Sequence, residues 1–284
     1  MVEKTELCIV GGGPAGMMAG LLFARAGVQT TVLEKHGDFL RDFRGDTVHP
    51  STLDVFHELG LLDDLLSRPH DEARRLTGLI AGEKVAIADF GYLSTKCRFI
   101  ALMPQWDFLD CVADAARRYP NFTLRMNAEA LGVTVADGRV GGARFREDGE
   151  ERMIESRLVI AADGRRSVLR AQAALPIEDL GAPMDVFWFR LSKPREATNR
   201  TTGVFATGRL LALIDRGDYW QCAFVFAKGG ADAVRERGLE AFRRDIADAA
   251  PFLAPSIDEL RDWDQVKLLS VSLDRLTRWH RPGL

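Results

Sequence analysis

Three glycines, a helix that begins with proline, and one acid stand at spacings that suit the binding of a dinucleotide. Leu7-Cys8-Ile9-Val10 runs into Gly11-Gly12-Gly13-Pro14-Ala15-Gly16. Gly11, Gly13 and Gly16 take the three glycine places of G-x-G-x-x-G. The first permits a tight turn off a strand. The second lets backbone approach a pyrophosphate. The third lets the helix pack closely on the strand, with the pyrophosphate over the helix N-terminus. Gly11, Gly13, Pro14, Ala15 and Gly16 are therefore candidate cofactor contacts. Glu34 ends the next apolar run, Thr30-Thr31-Val32-Leu33, where a carboxylate accepts hydrogen bonds from a ribose; Lys35 follows it in the candidate set. A chance glycine turn is the competing reading. The strand, helix, second strand and acid that surround the motif argue against it.

These residues need elements to hold them. The small-residue stretch from Pro14 to Ala26 predicts a helix, with Gly20 extending its close-packing face and Gly27 as its stop. Gly37 to Pro50 reads as a polar loop. Ser51 reads as the N-cap of a helix closed by Gly60, and Leu61–Leu66 as a further short helix. Gln105–Tyr119 has helical periodicity. Thr123–Met126 reads as a strand, Ala130–Phe145 as a hairpin about Asp137-Gly138, and Leu158–Ala162 as a wholly apolar strand. Beyond it, strand-like runs include Asp185–Phe189 and Trp220–Phe226; Glu240–Ala250 predicts an amphipathic helix and Val266–Leu273 an alternating strand. The expected class is α/β. A Rossmann-like nucleotide lobe with a mixed, mainly parallel sheet comes from residues 1–71 and 98–172, with 271–284 leading back into it. A second, β-rich lobe from 72–97 and 173–270 is inserted in sequence.

Bulk composition narrows the chemistry. The chain has 284 residues, 46% of them hydrophobic and 28% charged, with a net charge of -3, which gives no footprint for nucleic acid or an anionic membrane. The four cysteines, Cys8, Cys97, Cys111 and Cys222, form neither a C-x-x-C pair nor a metal spacing. They read as reduced structural thiols, and the expected location is cytoplasmic. Glu3, Lys4 and Glu6 precede a short apolar run that is no signal peptide, and no stretch approaches the length of a membrane span. No Gly-x-Ser-x-Gly elbow and no metal cluster is visible.

A second motif follows the strand at Leu158. Ala161-Ala162-Asp163-Gly164-Arg165-Arg166-Ser167-Val168-Leu169-Arg170 resembles the Asp-Gly motif of the flavin-dependent aromatic hydroxylases, the p-hydroxybenzoate hydroxylase class. Its usual Gly-Cys before Asp-Gly is Ala161-Ala162 here; a plain Asp-Gly turn is the alternative for Asp163 and Gly164. Phe43-Arg44-Gly45-Asp46-Thr47-Val48-His49-Pro50-Ser51-Thr52-Leu53 is similar to the segment of that family that crosses the flavin. Arg44 would carry over as a cofactor contact; a solvated loop arginine is its alternative. Met103-Pro104-Gln105-Trp106-Asp107-Phe108-Leu109 is similar to the region whose glutamine bonds the cofactor, Gln105 here, with a helix-capping role as the alternative. By looser analogy Ala130 would offer backbone to the adenine edge.

The resemblance covers nearly the whole chain and implies an FAD-dependent monooxygenase. It implies NADPH or NADH as a transient reductant, O2 as co-substrate and an aromatic or polycyclic small molecule as substrate. The lack of a second glycine fingerprint agrees with a reductant that has no Rossmann domain of its own. His49, on the flavin-crossing segment, is the one acid-base candidate. His36, His57, His70 and His280 read as surface or structural. Phe187, Trp188, Phe189, Phe205, Trp220, Phe224 and Phe226 could line a dry substrate pocket, although strand alternation sends most such side chains into core packing. Another flavoprotein oxidoreductase or a halogenase on this fold, and a non-catalytic nucleotide-binding remnant, are the competing functions. The family carries a third fingerprint, Gly-Asp before a helix. Leu276–Leu284 resembles its lead-in, so the expectation is a hydroxylase lacking its C-terminal part.

Overall fold

The computed structural model describes residues 3–40, 47–80, 82–193, 201–206 and 208–284. The chain divides into two compact units. One takes Met1–Glu72, Thr95–Ile177 and Leu276–Leu284, the other Ala73–Ser94 and Glu178–Arg275.

The first unit is built on β1 (Glu3–Val10), α1 (Pro14–Arg25), β2 (Thr30–Leu33), α2 (Pro50–Leu59) and α3 (Gln105–Ala116). It continues with β3 (Phe122–Arg125), β4 (Glu129–Ala136), β5 (Arg139–Glu147), β6 (Glu150–Ala161) and α4 (Val168–Gln172). Its sheet has the order β3-β2-β1-β6-β5-β4. The first four strands run parallel and the last two antiparallel, so the sheet is mixed as the sequence implies. Leu7–Val10 of β1 and all of β2 are buried because both of their faces are covered. α1 lies on one face, with Met17, Leu21 and Ala24 buried among α3 residues such as Phe108, Leu109 and Val112. Each such large side chain contributes about 1.5–3 kcal/mol on burial. Gly20 sets the approach: a Cβ there would stand 2.9 Å from both Phe122 Cε2 and Val32 Cγ2.

Two local expectations change in this unit. α2 begins at Pro50 with His49 as its N-cap, so Ser51 lies inside the helix. Proline's fixed φ suits the first helical position, which moves the start earlier. Gly60 does end that helix in the left-handed conformation, φ 73°. The Leu158–Ala162 run is the tail of a strand that starts at Glu150, and Leu158 is 39% exposed. Its early half, Glu150–Ser156, is mostly charged and polar and pairs with β5, which hides it from a search for apolar runs.

The second unit holds a seven-stranded sheet ordered Lys267–Leu269, Met184–Ser192, Tyr219–Ala227, Arg209–Asp215, Thr202–Ala206, Arg75–Ile80, Glu83–Asp89. The expected strand Val266–Leu273 is only Lys267–Leu269. The chain leaves the sheet after it, and Val271 N–H donates to Asp185 Oδ1 at 2.9 Å. The helix Leu239–Ala249 and the 3-10 turn that follows cover one face. There Phe187, Phe189, Trp220, Phe224 and Phe226 pack with Phe242 and Leu253, so these aromatics are core. Trp188 and Phe205 point to the other face, and Phe205 is 37% exposed.

Candidate functional site

The end of β1 determines the site. Gly11 has φ 106°, and its N–H donates to Leu33 O at 2.8 Å, which ties the turn to β2. A Cβ on Gly11 would stand 2.3 Å from Ala162 O, so only glycine fits. A Cβ on Gly16 would stand 1.9 Å from Gly11 O; its absence is what lets the helix start against the turn. Gly13 differs. It is the N-cap of α1, and a Cβ there would meet nothing within 4 Å. The first turn of α1 has Pro14 at its start, no side-chain cap and no acidic residue. An uncapped positive helix end with open space before it is an anion site.

Glu34 lies beside this turn, 7% exposed. Its Oε2 accepts from Gly12 N–H at 2.8 Å, and its Oε1 accepts from His36 N–H at 3.0 Å. His36 Nδ1 stands 2.5 Å from the same Oε1. The carboxylate thus braces the glycine turn as well as facing the end of β2. Glu34 O accepts from Ala128 N–H at 2.8 Å, and His36 O from Asn127 N–H at 2.9 Å. These bonds bring the start of β4, and Ala130 in it, to the same corner. The roles of Gly12 and His36 were missed in the sequence; a fourth glycine inside the fingerprint was the only signal for the first.

Asp163 adjoins Gly11: a Cβ on Gly11 would stand 2.9 Å from Asp163 N. Asp163 Oδ2 accepts from Val168 N–H at 2.8 Å and Leu169 N–H at 3.3 Å, which starts α4. Ser167 Oγ accepts from Arg170 N–H at 2.9 Å and completes the cap. Gly164 supplies the turn with φ 79°. Asp163 Oδ1 is buried and has no hydrogen-bond partner among the described residues. A buried orphan acceptor is costly and calls for a donor.

The glycine turn, Pro14, Ala15, Glu34, Ala130, Asp163 and Gly164 therefore gather around one corner of the sheet. Lys35 is exposed. Gln105 opens α3 behind Pro104, which is the N-cap, and its amide makes no hydrogen bond among the described residues. His49 is exposed, and its carbonyl, not its ring, serves α2. Arg44 lies outside the described residues.

An FAD fits what is present at this corner. The open space at Gly13 and the uncapped helix end match a pyrophosphate, the Glu34 carboxylate a ribose, and the orphan Asp163 Oδ1 a hydroxyl or amide donor. The chain's thiols are remote from redox work. All four are buried; burial pushes Cys8 up to about 12 and also raises Cys111 and Cys222. Among the described residues no group of three His, Cys, Asp or Glu could hold a metal, and no helix is long and apolar enough to cross a membrane.

Comparison with known proteins gives a consistent picture. The family model described as FAD binding domain matches residues 4–280. The 6-methylpretetramide 4-monooxygenase of Streptomyces rimosus is 28% identical over 99% of this chain and 67% of its own length. An uncharacterized aromatic compound monooxygenase of Bacillus subtilis is 34% identical over 62% of this chain, and the match spans 34% of that protein. Among solved structures, p-nitrophenol 4-monooxygenase from Pseudomonas putida superposes with a TM-score of 0.78 at 21% identity, over 99% of this chain and 72% of that one. The chain thus spans two thirds or less of the length of these curated relatives.

Proposed function

The chain belongs to the FAD binding domain family, and from that membership we propose that it serves an FAD-dependent monooxygenase. The substrate class is an aromatic or polycyclic small molecule; the Bacillus relative is named for an aromatic compound and the Streptomyces relative for 6-methylpretetramide. NADPH or NADH is the reductant, and the location is cytoplasmic. The observation that carries this reading is the corner where an open Gly13, an uncapped helix end and a buried orphan oxygen on Asp163 meet.

In this reading the Gly11–Gly16 turn and the first amides of α1 hold the pyrophosphate. Glu34 accepts from a ribose hydroxyl while Gly12 N–H and His36 keep its carboxylate oriented. Asp163 Oδ1 takes a donor from the cofactor, and Oδ2 stays fixed on α4. Ala130 backbone faces the adenine edge, and Lys35, Arg44, Gln105 and Gly164 complete the proposed contact set. Bound FAD would supply the redox chemistry, taking two electrons from NAD(P)H and delivering one oxygen atom of O2 to the arene while the other leaves as water. Of the chain's own groups His49 is the one offered for proton transfer.

The test is direct. Purified protein is titrated with FAD, then given NADPH or NADH, oxygen and a panel of phenols and fused-ring phenols. The expected result is saturable FAD binding and substrate-stimulated NAD(P)H consumption, with one 18O atom from labelled O2 in the product. FAD binding without any label in product would favour a nucleotide-binding remnant instead. No FAD binding at millimolar concentration would remove the reading.

A further inference from the structure

The far end of α4 from Asp163 opens into a cavity of about 520 Å³. Its walls come from the chain just after α4, including Ala173, Leu175 and Pro176, and from the returning segment with Thr277, Arg278 and Arg281. No acidic residue lines it. We propose that this cavity binds the phosphate group of a small molecule, at a place distinct from the dinucleotide corner.

Two arginines carry the argument. Arg281 is anchored across the cavity wall: its Nη1 donates to Ala173 O and its Nη2 to Gly138 O, each at 3.4 Å. A guanidinium has five N–H donors in a fixed fork, so most of its capacity remains. Arg278 is exposed and has no hydrogen-bond or ion-pair partner among the described residues. The contrast with Arg275 is direct, since that side chain is spent on Glu178 Oε2 at 2.6 Å. Both line a cavity to which no carboxylate of the described residues contributes, and a dianion would pair with both. A phosphate also offers the paired acceptors that such forks match. Ala173, Ala174, Leu175, Pro176, Thr277 and Pro282 supply the uncharged remainder of the wall.

The cavity is not the pyrophosphate cradle. Asp163 and Ser167 hold the start of α4, while Ala173 caps its other end. The carbonyls at that C-terminal end repel anions on their own, and the anchored Arg281 faces one of them, Ala173 O. The phosphate could be free or carried on a nucleotide such as the adenosine half of NADPH; both present the same dianion.

The experiment is a titration of the whole chain, saturated with FAD, by inorganic phosphate against potassium chloride of equal ionic strength. Calorimetry and melting temperature are the readouts. Phosphate is expected to bind and to raise Tm beyond chloride. Arg278→Ala should weaken phosphate binding roughly tenfold, Arg278→Lys should recover part of the loss, and FAD affinity should be unchanged in both. A parallel titration with 2′-AMP separates the sources: tighter binding than phosphate means a nucleotide-borne group, equal binding a free one. The proposal is overturned if phosphate does no more than chloride on the wild-type chain, or if Arg278→Ala binds it as tightly. If the chain takes up no FAD, the same titration on the unloaded protein still reads this cavity, so the two failures are separable.

Discussion

Gly13 and Gly16 sit three residues apart and are glycine for opposite reasons. At Gly16 the protein itself fills the space, with Gly11 O 1.9 Å from the missing Cβ. Gly16→Ala should therefore destabilise the fold by about 1–3 kcal/mol or more, read as a lower Tm even without cofactor. At Gly13 the space is empty of protein. Gly13→Val should keep Tm within the effect of a weaker N-cap, about 1 kcal/mol, while FAD affinity falls by roughly a hundredfold or more. A Gly13→Val protein that binds FAD normally would remove the cradle. Glu34 calls for a gentler substitution. Its Oε2 accepts from Gly12 N–H, so alanine would disturb the turn itself. Glu34→Gln keeps an acceptor for that bond. It should lose a charge-assisted bond to ribose, worth about 1.5–3 kcal/mol, or roughly ten- to a hundredfold in FAD affinity by fluorescence titration.

Among the elements, Met184–Ser192 is held by a group that titrates. Asp185 accepts from Lys228 Nζ at 2.8 Å and from Gly229 and Val271 N–H at 2.9 Å. The Lys228 ammonium and these amides hold its carboxyl well below the usual carboxylate range. A depressed folded pKa means the unfolded chain takes the proton first. The stabilisation is thus fully present above the unfolded value, about pH 4, and is lost as pH falls further through the folded value. Asp185→Asn should lower Tm at neutral pH and flatten the decline of Tm below about pH 4. An unchanged acid limb would assign the acid sensitivity to other carboxylates.

At the scale of the molecule, each unit is assembled from separated stretches of chain. β1 is flanked by β2 on one side and by β6, far along the sequence, on the other. Residues 1–72 alone hold the glycine fingerprint but lack both β6 and β3. Expressed by itself, that fragment should show no cooperative thermal transition by circular dichroism and no FAD binding. A sharp transition would mean that the βαβ unit folds without its parallel neighbours.

The sequence by itself determined the βαβ fingerprint, the mixed mainly parallel sheet and the family. The fingerprint rests on short-range spacing, with glycines at fixed intervals, apolar runs and an acid at a strand end; the family rests on the resemblance of the segment about Asp163 and Gly164. It also predicted that most of the aromatic strand residues would serve as core, because alternation alone sends every second side chain inward. Tertiary structure decided what spacing cannot encode. It joined Gly12 and His36 to Glu34, left one oxygen of Asp163 without a partner while the other caps α4, and exposed Leu158 in an apolar run. It ended the strand after Leu269 because Val271 bonds a carboxylate on Met184–Ser192, distant in sequence. Each depends on which groups meet across long stretches of chain. A hydrogen bond or a missing Cβ contact is a property of two segments together, and neither segment carries it alone.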